Sequence, residues 1–449
     1  MDDYYSLPVL YSLGLNAHLG FLCRLINETI ISPTLTSDLL PIQSDHFKNI
    51  ELTCDDVVPV LEVCIPWLCL FTISLSLLLL YSAYYQYVMV KKPKVVCHDP
   101  GRMAALKKHC PVFFEKYRLT PWAPNAYMQS IIRVAIQTFP KEERRRETVT
   151  MKSDDGHVCL DWFNEKTDEQ PTVLMLPGIT GSSNENYVRH WINDMKGLGY
   201  RAVVFNYRGC GYTKLSTPRT YVGSDISDLT DVISHITTKL PKAPLLAVGA
   251  SMGTMQLLKY VAVCKRQGKT CPLKALFLIS TVWDPMETNK VIHSPLNKYT
   301  LNRHLCNNFK DVLRENRAVF EESSQKGELC FDYNKALQCT DFRQFTEVLV
   351  FPMFGYKNFQ DLFSACSPTA LISDFTIPIL SLNADDDPFT PEYVIPEEGA
   401  RSNPNLILVT TRRGGHIGFM EGLLPTNKNL MDRALIQFIR AVFEHDAFV

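Results

Sequence analysis

The chain has 449 residues, of which 46% are hydrophobic and 21% charged. A chain of that length buries a sizeable core, so a disulfide mini-protein is excluded, and its near-average composition excludes a wholly disordered chain and a polytopic membrane protein. Lys plus Arg number 46 against 47 Asp plus Glu, a net charge of -1, which offers no electrostatic handle for a nucleic-acid partner.

In chain order, residues 7–31 are moderately apolar but broken by His18, Arg24 and Glu28, the pattern of an interfacial helix or small luminal element. Residues 63–90 contain no Asp, Glu, Lys, Arg or His. That run exceeds the roughly 20 residues a bilayer-crossing helix needs, and it predicts one transmembrane span. Trp67 stands near one end and Tyr81, Tyr84, Tyr85 and Tyr87 near the other, where amphipathic rings favour the lipid-water boundary. The segment begins too late to be a cleaved signal peptide. Lys91, Lys92, Lys94, Arg102, Lys107 and Lys108 follow it, whereas only Arg24 and Lys48 precede it among many acids. By the positive-inside rule, residues 1–62 are luminal and the C-terminal bulk is cytosolic. Asn27-Glu28-Thr29 is then a glycosylation sequon on the luminal side.

Residues 91–146 read as a membrane-proximal connector, with Arg144, Arg145 and Arg146 as a solvated face or a contact with lipid headgroups. From about Glu147 short aliphatic runs alternate with helical ones. Strand candidates lie at 158–163, 172–176, 201–206, 245–248, 275–279, 378–382 and 406–410, and helices at 187–196, 225–239, 252–265 and 429–444. Continuous apolar runs of this length suit strands buried on both faces, so the pattern predicts a mostly parallel sheet covered by helices on both sides. The interval 281–376 is too long for a connection and predicts a cap over the site. Fourteen cysteines are scattered with no CxxC pair, which speaks against a zinc ribbon and for reduced cysteines acting as small hydrophobes. Cys23 and Cys54 are the one pairing left open.

The run LLAVGASMGTMQLLKY sets an apolar strand, then Gly249-Ala250-Ser251-Met252-Gly253, then a helix, which is a GxSxG nucleophile elbow in its required context. The glycines make room for a very tight turn, and the bland alternative is a serine that merely caps the helix. A serine hydroxyl needs a histidine base oriented by a carboxylate. Asp385, Asp386 and Asp387 compete in SLNADDDPFTP. Asp387 is chosen because it directly precedes the Pro-containing turn that leaves the sheet edge; Asp386 is the alternative, and the remaining acids would be solvated loop residues. His416, in TRRGGHIGFMEG, is the only one of the eleven histidines that follows both Ser251 and Asp387 and sits after a strand, since His445 lies in the terminal helix. Oxyanion donors are expected from the amides of Met252 and of Ile179 in LMLPGITGSS, with Thr180 the alternative to Ile179. His190 and Asp194, spaced HxxxD, read as a helical surface contact. With no P-loop, HExxH or GxGxxG, neither a metal nor another cofactor is expected.

Together, LMLPGITGSSNENY, VVFNYRGCG, TPRTY, GASMG, FGYKNFQDLF, SLNADDDPFTP and GGHIGFMEG resemble the α/β-hydrolase domain-containing proteins 1 and 3 group of membrane-anchored serine hydrolases, over nearly all of 91–448. The resemblance implies an α/β-hydrolase fold and one N-terminal transmembrane helix, to which the interval 281–376, rich in helix-formers, adds a helical cap. It carries a triad onto Ser251, Asp387 and His416, and it implies a glycerophospholipid ester as substrate. Two departures stand out: Thr254 occupies a position where the family usually has a second glycine after the elbow, and the extension before the span is longer than usual. The expected protein is a single-pass serine hydrolase of the endoplasmic reticulum that cleaves acyl esters of membrane lipids through an acyl-enzyme. A monoacylglycerol lipase or acyltransferase shares the triad, and a catalytically silent lipid-binding or scaffold protein is the rival of another class.

Overall fold

The computed structural model describes residues 54–136, 142–426 and 428–448, so the expectations for 7–31, Asn27 and Cys23 lie outside the described residues. Helix α1 (Cys54–Tyr84) has no charge after Glu62, and the stretch Pro66–Met89, 24 residues, is long and apolar enough to cross a membrane. Leu68, Phe71, Leu77 and Leu80 are all exposed. A helix that is apolar on every side finds its low-energy environment in hydrocarbon rather than water.

A second unit begins at Tyr85. Its strands are β1 (Lys94–Cys97), β2 (Arg145–Thr150), β3 (His157–Phe163), β4 (Thr172–Leu176), β5 (Arg201–Asn206), β6 (Leu245–Ala250), β7 (Leu273–Ile279), β8 (Ile379–Ala384) and β9 (Leu406–Thr411). Among the described residues they form one sheet in the order β1-β9-β8-β7-β6-β4-β5-β3-β2. The six strands β5-β4-β6-β7-β8-β9 run parallel, while β1 joins antiparallel at one edge and β3 and β2 at the other. The expected parallel strands are present, several longer by one or two residues. Each is buried along nearly its whole length, the reason its sequence reads as a continuous apolar run.

Side chains alternate between two hydrophobic layers, as the pleat requires. Val173 and Met175 of β4 pack in one layer with Trp191 of α4 (Asn186–Leu198) and Phe438 of α11 (Leu430–His445). Leu174 and Leu176 pack in the other with Val232 of α5 (Ser227–Lys239) and Leu257 of α6 (Met252–Arg266). Full burial of each such side chain stabilises by about 1.5–3 kcal/mol. Between β7 and β8 the expected cap is helical: α7 (Pro285–Ile292), α8 (Arg303–Glu315), α9 (Arg317–Gln325) and α10 (Phe359–Ser364), with shorter helical segments over 295–302, 333–338 and 342–354, and it is centred on buried Phe309, Phe320 and Phe345.

Two strands were not expected. In β1, KVVC, the paired valines are too few to show a period, and in β2, RRETVT, the charges conceal the alternation. The solvated-face reading of Arg144 to Arg146 holds in part: Arg144 and Arg145 are exposed and Arg146 is half-buried, but all three meet partners. Arg146 grips the buried Asp161 through both carboxylate oxygens at 2.7 and 2.8 Å, Arg145 bonds Glu165 at 2.7 and 2.8 Å, and Arg144 reaches Ser183 at 2.9 Å. These side chains brace the sheet edge. The stretch read as a connector likewise folds into the second unit: α2 (Pro100–His109) and α3 (Ala126–Ile136) are helices, and Phe113, Tyr117 and Leu119 are buried. Cys110, Cys210 and Cys366 are buried free thiols, pushed up to about 12 by burial.

Arg208 of the VVFNYRGCG motif is 1% exposed and ion-pairs with Asp154 of the β2–β3 turn at 2.5 Å and Asp228 of α5 at 2.7 Å. Burial opposes ionisation of Asp154, but Arg208 outweighs it and holds the carboxyl near 2. Because the folded value is depressed, this contribution to stability is present above the unfolded value near 4 and is lost as pH falls through the folded one. Arg208→Met leaves two carboxylates without their cation and is expected to cost about 3–5 kcal/mol, read as a lower Tm at neutral pH. An unchanged Tm would refute that role.

Candidate active site

The sharpest turn of the sheet lies between β6 and α6. Ser251 occupies it with φ 50° and ψ -118°, a conformation that costs on the order of 1–3 kcal/mol for a residue with a side chain. Its N–H donates to the carbonyl of Ile279 at 3.0 Å. Its own carbonyl accepts from the N–H of Thr254 at 3.0 Å and the hydroxyl of Thr254 at 2.5 Å. Thr254, the departure from the family pattern, is thus fully buried and braces the elbow. Gly253 is obligatory on steric grounds: a Cβ there would stand 2.6 Å from the carbonyl oxygen of Leu176 and 2.9 Å from that of Pro177. Register puts Gly249 beside Leu176 of β4 and Leu278 of β7, so the elbow rises from the centre of the sheet.

Asp387 follows β8 and His416 follows β9, and both reach the same carboxyl edge. The Nε2 of His416 lies 2.8 Å from Ser251 Oγ, and its Nδ1 lies 2.8 and 3.0 Å from the two carboxylate oxygens of Asp387. Asp387 Oδ1 also accepts from the N–H groups of Phe389 at 2.8 Å and Thr390 at 3.3 Å, a turn that locks the carboxylate across Pro388. The ring of Phe389 lies against the imidazole with centroids 4.3 Å apart.

Asp386 makes no hydrogen bond to His416, but it is not a solvated loop residue either. Its Oδ1 accepts from the N–H groups of both Gly414 and Gly415 at 2.9 Å and so anchors the loop that carries His416. Burial raises its pKa against the opposing pull of those two amides. Asp385 is half-buried, and desolvation pushes it up to about 6. Three consecutive acids leaving a strand point in different directions, so adjacency in sequence conveys nothing of which one meets the histidine.

The sequence reading missed the second support of this loop, α3. Ser130 Oγ accepts from the N–H of His416 at 2.9 Å. Arg133 donates to the carbonyl of Gly418 at 2.6 Å and to Asp432 at 3.2 and 3.3 Å. Gly415, at φ 62°, packs so closely that a Cβ would lie 2.4 Å from the carbonyl of Ala126. A signal existed: Gln129 and Arg133 stand four apart, with Ser130 beside them, in a helix whose other residues are apolar or aromatic.

On the opposite side of Ser251, the N–H of Gly178 donates to the Tyr187 hydroxyl and that of Thr180 to the Tyr221 hydroxyl, each at 2.8 Å. Between them the Ile179 amide has no hydrogen-bond partner among the described residues. Met252 is the first residue of α6, where no helical carbonyl can reach the amide. Asp161, Asn206 and Ser183 pin the loop from below: Ser183 Oγ donates to Asp161 at 2.6 Å, and its N–H donates to Asn206 at 3.0 Å. His190 and Asp194 are corrected. Both face the core of α4, 3% and 4% exposed, rather than the surface. Burial drives His190 down to about 4 and Asp194 up to about 7, with Lys428 3.0 Å from Asp194.

Ser251, Met252 and Ile179 open into a cavity of about 150 Å³, whose other walls include Phe309, Phe342, Val350, Leu362 and Phe363 of the cap. Among the described residues no cluster of His, Cys, Asp and Glu is arranged to hold a metal.

Residues 171–423 match the family described as alpha/beta hydrolase fold. The chain belongs to this family. Phospholipase ABHD3 of Bos taurus is 36% identical over 382 residues, covering 84% of this chain and 90% of that protein. Monoacylglycerol lipase of Saccharomyces cerevisiae is 27% identical over 256 residues, covering 57% and 56%. Among solved structures, alpha/beta hydrolase domain-containing protein 10 from mouse aligns with a TM-score of 0.40 at 16% identity, covering 67% of this chain and 98% of that one.

With ester turnover as readout, Asp387→Asn is expected to lose about 10⁴ in kcat through the wrong imidazole tautomer. Asp386→Ala, which only loosens the loop, loses less, and Asp386→Asn least, because its amide oxygen can still accept from Gly414 and Gly415. Equal losses at Asp386→Asn and Asp387→Asn contradict this ranking.

Proposed function

We propose that the protein is a membrane-anchored serine hydrolase of the phospholipase A type, acting on acyl esters of glycerophospholipids. The observation that carries this reading is the hydrogen-bonded series Ser251–His416–Asp387 at the mouth of an apolar cavity. The 36% identity to phospholipase ABHD3 over 84% of the chain supports the substrate class. Ser251 Oγ bonds to the ester carbonyl carbon as its proton passes to His416 Nε2, while Asp387 orients the ring and stabilises the imidazolium. The amides of Ile179 and Met252 receive the oxyanion. Its collapse breaks the bond to the lipid alcohol, which leaves with the proton of His416. Water then repeats the sequence on the acyl-enzyme and releases the fatty acid. An apolar chamber suits the acyl chain and excludes bulk water.

The similarity to monoacylglycerol lipase of Saccharomyces cerevisiae favours a second reading with the same chemistry and a smaller alcohol. Mass spectrometry of the full-length protein with phosphatidylcholine and monoacylglycerol separates the two. In either case Ser251→Ala is expected to abolish both hydrolysis and fluorophosphonate labelling, with folding and membrane attachment unchanged. Persistent labelling refutes Ser251 as nucleophile.

We place the hydrolase unit on the cytosolic side of the endoplasmic reticulum. Six Lys and Arg follow the span within residues 91–108, each worth about 1 kcal/mol at an anionic leaflet. Buried unpaired thiols also suit a reducing compartment. In microsomes, an Asn27-dependent glycosylation shift together with a protease-accessible C-terminus is expected, and a protected C-terminus refutes the orientation.

A further inference from the structure

Helix α3 is amphipathic in an inverted sense. Its polar side chains Gln129 and Arg133 are buried against the His416 loop, whereas Ile131 is 56% exposed and Tyr127, Met128 and Ile132 are half-exposed. Its only charge, Arg133, is turned inward onto Asp432, so no ion stands on the outward face. Alongside it, residues 118–122 run antiparallel to 420–423, and Trp122 Nε1 donates to the carbonyl of Leu423 at 2.7 Å. Leu423 and Leu424 at the tip of that turn are 68% and 75% exposed. Across α3, the Tyr127 hydroxyl donates to Asn297 at 2.5 Å, which leads to the exposed Leu296 and Tyr299 of the cap. Isolated surface leucines are ordinary, but an ion-free helix face flanked by two exposed leucines, a tryptophan and a tyrosine is a contact surface.

We propose that this face, built from Trp122, Ile131, Leu423 and Leu424 with Leu296 and Tyr299 on its cap side, docks into the lipid-water boundary of a phospholipid bilayer. Three observations select a bilayer over a protein partner. First, the chain carries its own stretch long and apolar enough to cross a membrane, Pro66–Met89, which tethers the second unit to a bilayer, and α3 follows on the same polypeptide after β1 and α2. Second, the composition fits an interfacial insert: aliphatic tips enter the acyl region, and Trp122 and Tyr299 have rings with a polar edge for the headgroup level. Third, the surface is hydrogen-bonded to the site on both flanks. Ser130 of α3 accepts from the His416 N–H, and Asn297 donates to the carbonyl of Pro388, next to Asp387. Seating this face in the boundary sets the carboxyl edge of the sheet at the surface where a lipid ester lies. The inference rests on the phospholipase reading for what is cleaved, but not for the docking itself.

The test uses the full-length protein in phosphatidylcholine nanodiscs. A genetically encoded fluorescent amino acid replaces Leu424 in one preparation and, as control, Lys242 in another, an exposed residue just before β6 at the opposite edge of the sheet. Nitroxide-labelled lipid is expected to quench the fluorophore at 424 strongly and that at 242 weakly. In parallel, the variant Ile131→Gln/Leu423→Ser/Leu424→Ser is expected to lower hydrolysis of nanodisc phospholipid by about tenfold, the equivalent of 1.4 kcal/mol, with turnover of a short soluble ester unchanged. Equal quenching at the two positions overturns the proposal. So does a fluorophore at 424 shielded from both lipid nitroxide and aqueous iodide, which assigns the face to a second copy or another protein, and so does an unchanged ratio of the two rates. Strong quenching at 424 in a protein inactive on every lipid would leave the docking intact and remove the phospholipase reading instead.

Discussion

The strained backbone at Ser251 is the constraint on which the rest of the site depends. A residue with a side chain holds φ 50° only when its surroundings over-determine it, and here they do. Gly253 lies in a slot left by the carbonyls of Leu176 and Pro177, and Thr254 binds the Ser251 carbonyl twice. Strands β4 and β7 flank β6 on both sides and are paired with it over Ala247–Gly249, up to the elbow. A central parallel sheet, buried on both faces, is rigid enough to bear that strain and to aim one hydroxyl at a fixed point beyond its edge.

The histidine has no such rigid parent. It sits in a loop after β9 in which Ile417 and Phe419 also have positive φ, so several non-glycine residues share the cost of its path. Its position comes from contacts at many points: Asp386 holds Gly414 and Gly415, Ser130 holds the His416 amide, Ser280 accepts from the Ile417 N–H at 2.9 Å, and Arg133 clasps the Gly418 carbonyl. These supports come from three separate parts of the chain: α3, the segment after β7 and the segment after β8. Loss of any one shifts the imidazole relative to a hydroxyl only 2.8 Å away.

Buried charge in this protein is arranged in the same manner. Asp161, Arg208 and Asp432 are each almost fully buried, and each is met by an opposite charge from another element or turn. Such clusters hold the loop around Ile179, the β2–β3 turn and the His416 loop in one arrangement, because a displaced partner would leave an uncompensated ion in the interior.

By itself the sequence determined the features that rest on local periodicity and local sterics: the apolar stretch before Lys91, the buried parallel strands, the helical cap, and the Gly-x-Ser-x-Gly elbow with its strand before and helix after. Aliphatic runs and obligatory glycines show these because the physics involves neighbours along the chain. Tertiary structure alone decided the rest. Which of Asp385, Asp386 and Asp387 faces His416 depends on how a turn is folded over Pro388; that α3 supports His416 depends on a contact between residues nearly three hundred apart; that Arg146 meets the buried Asp161, and that His190 and Asp194 are buried, depends on which face of a strand or helix meets the core. Charged residues carry no periodic signal of the partner they will find, and the energy that decides their burial resides in the desolvated pair, which exists only once distant segments have met.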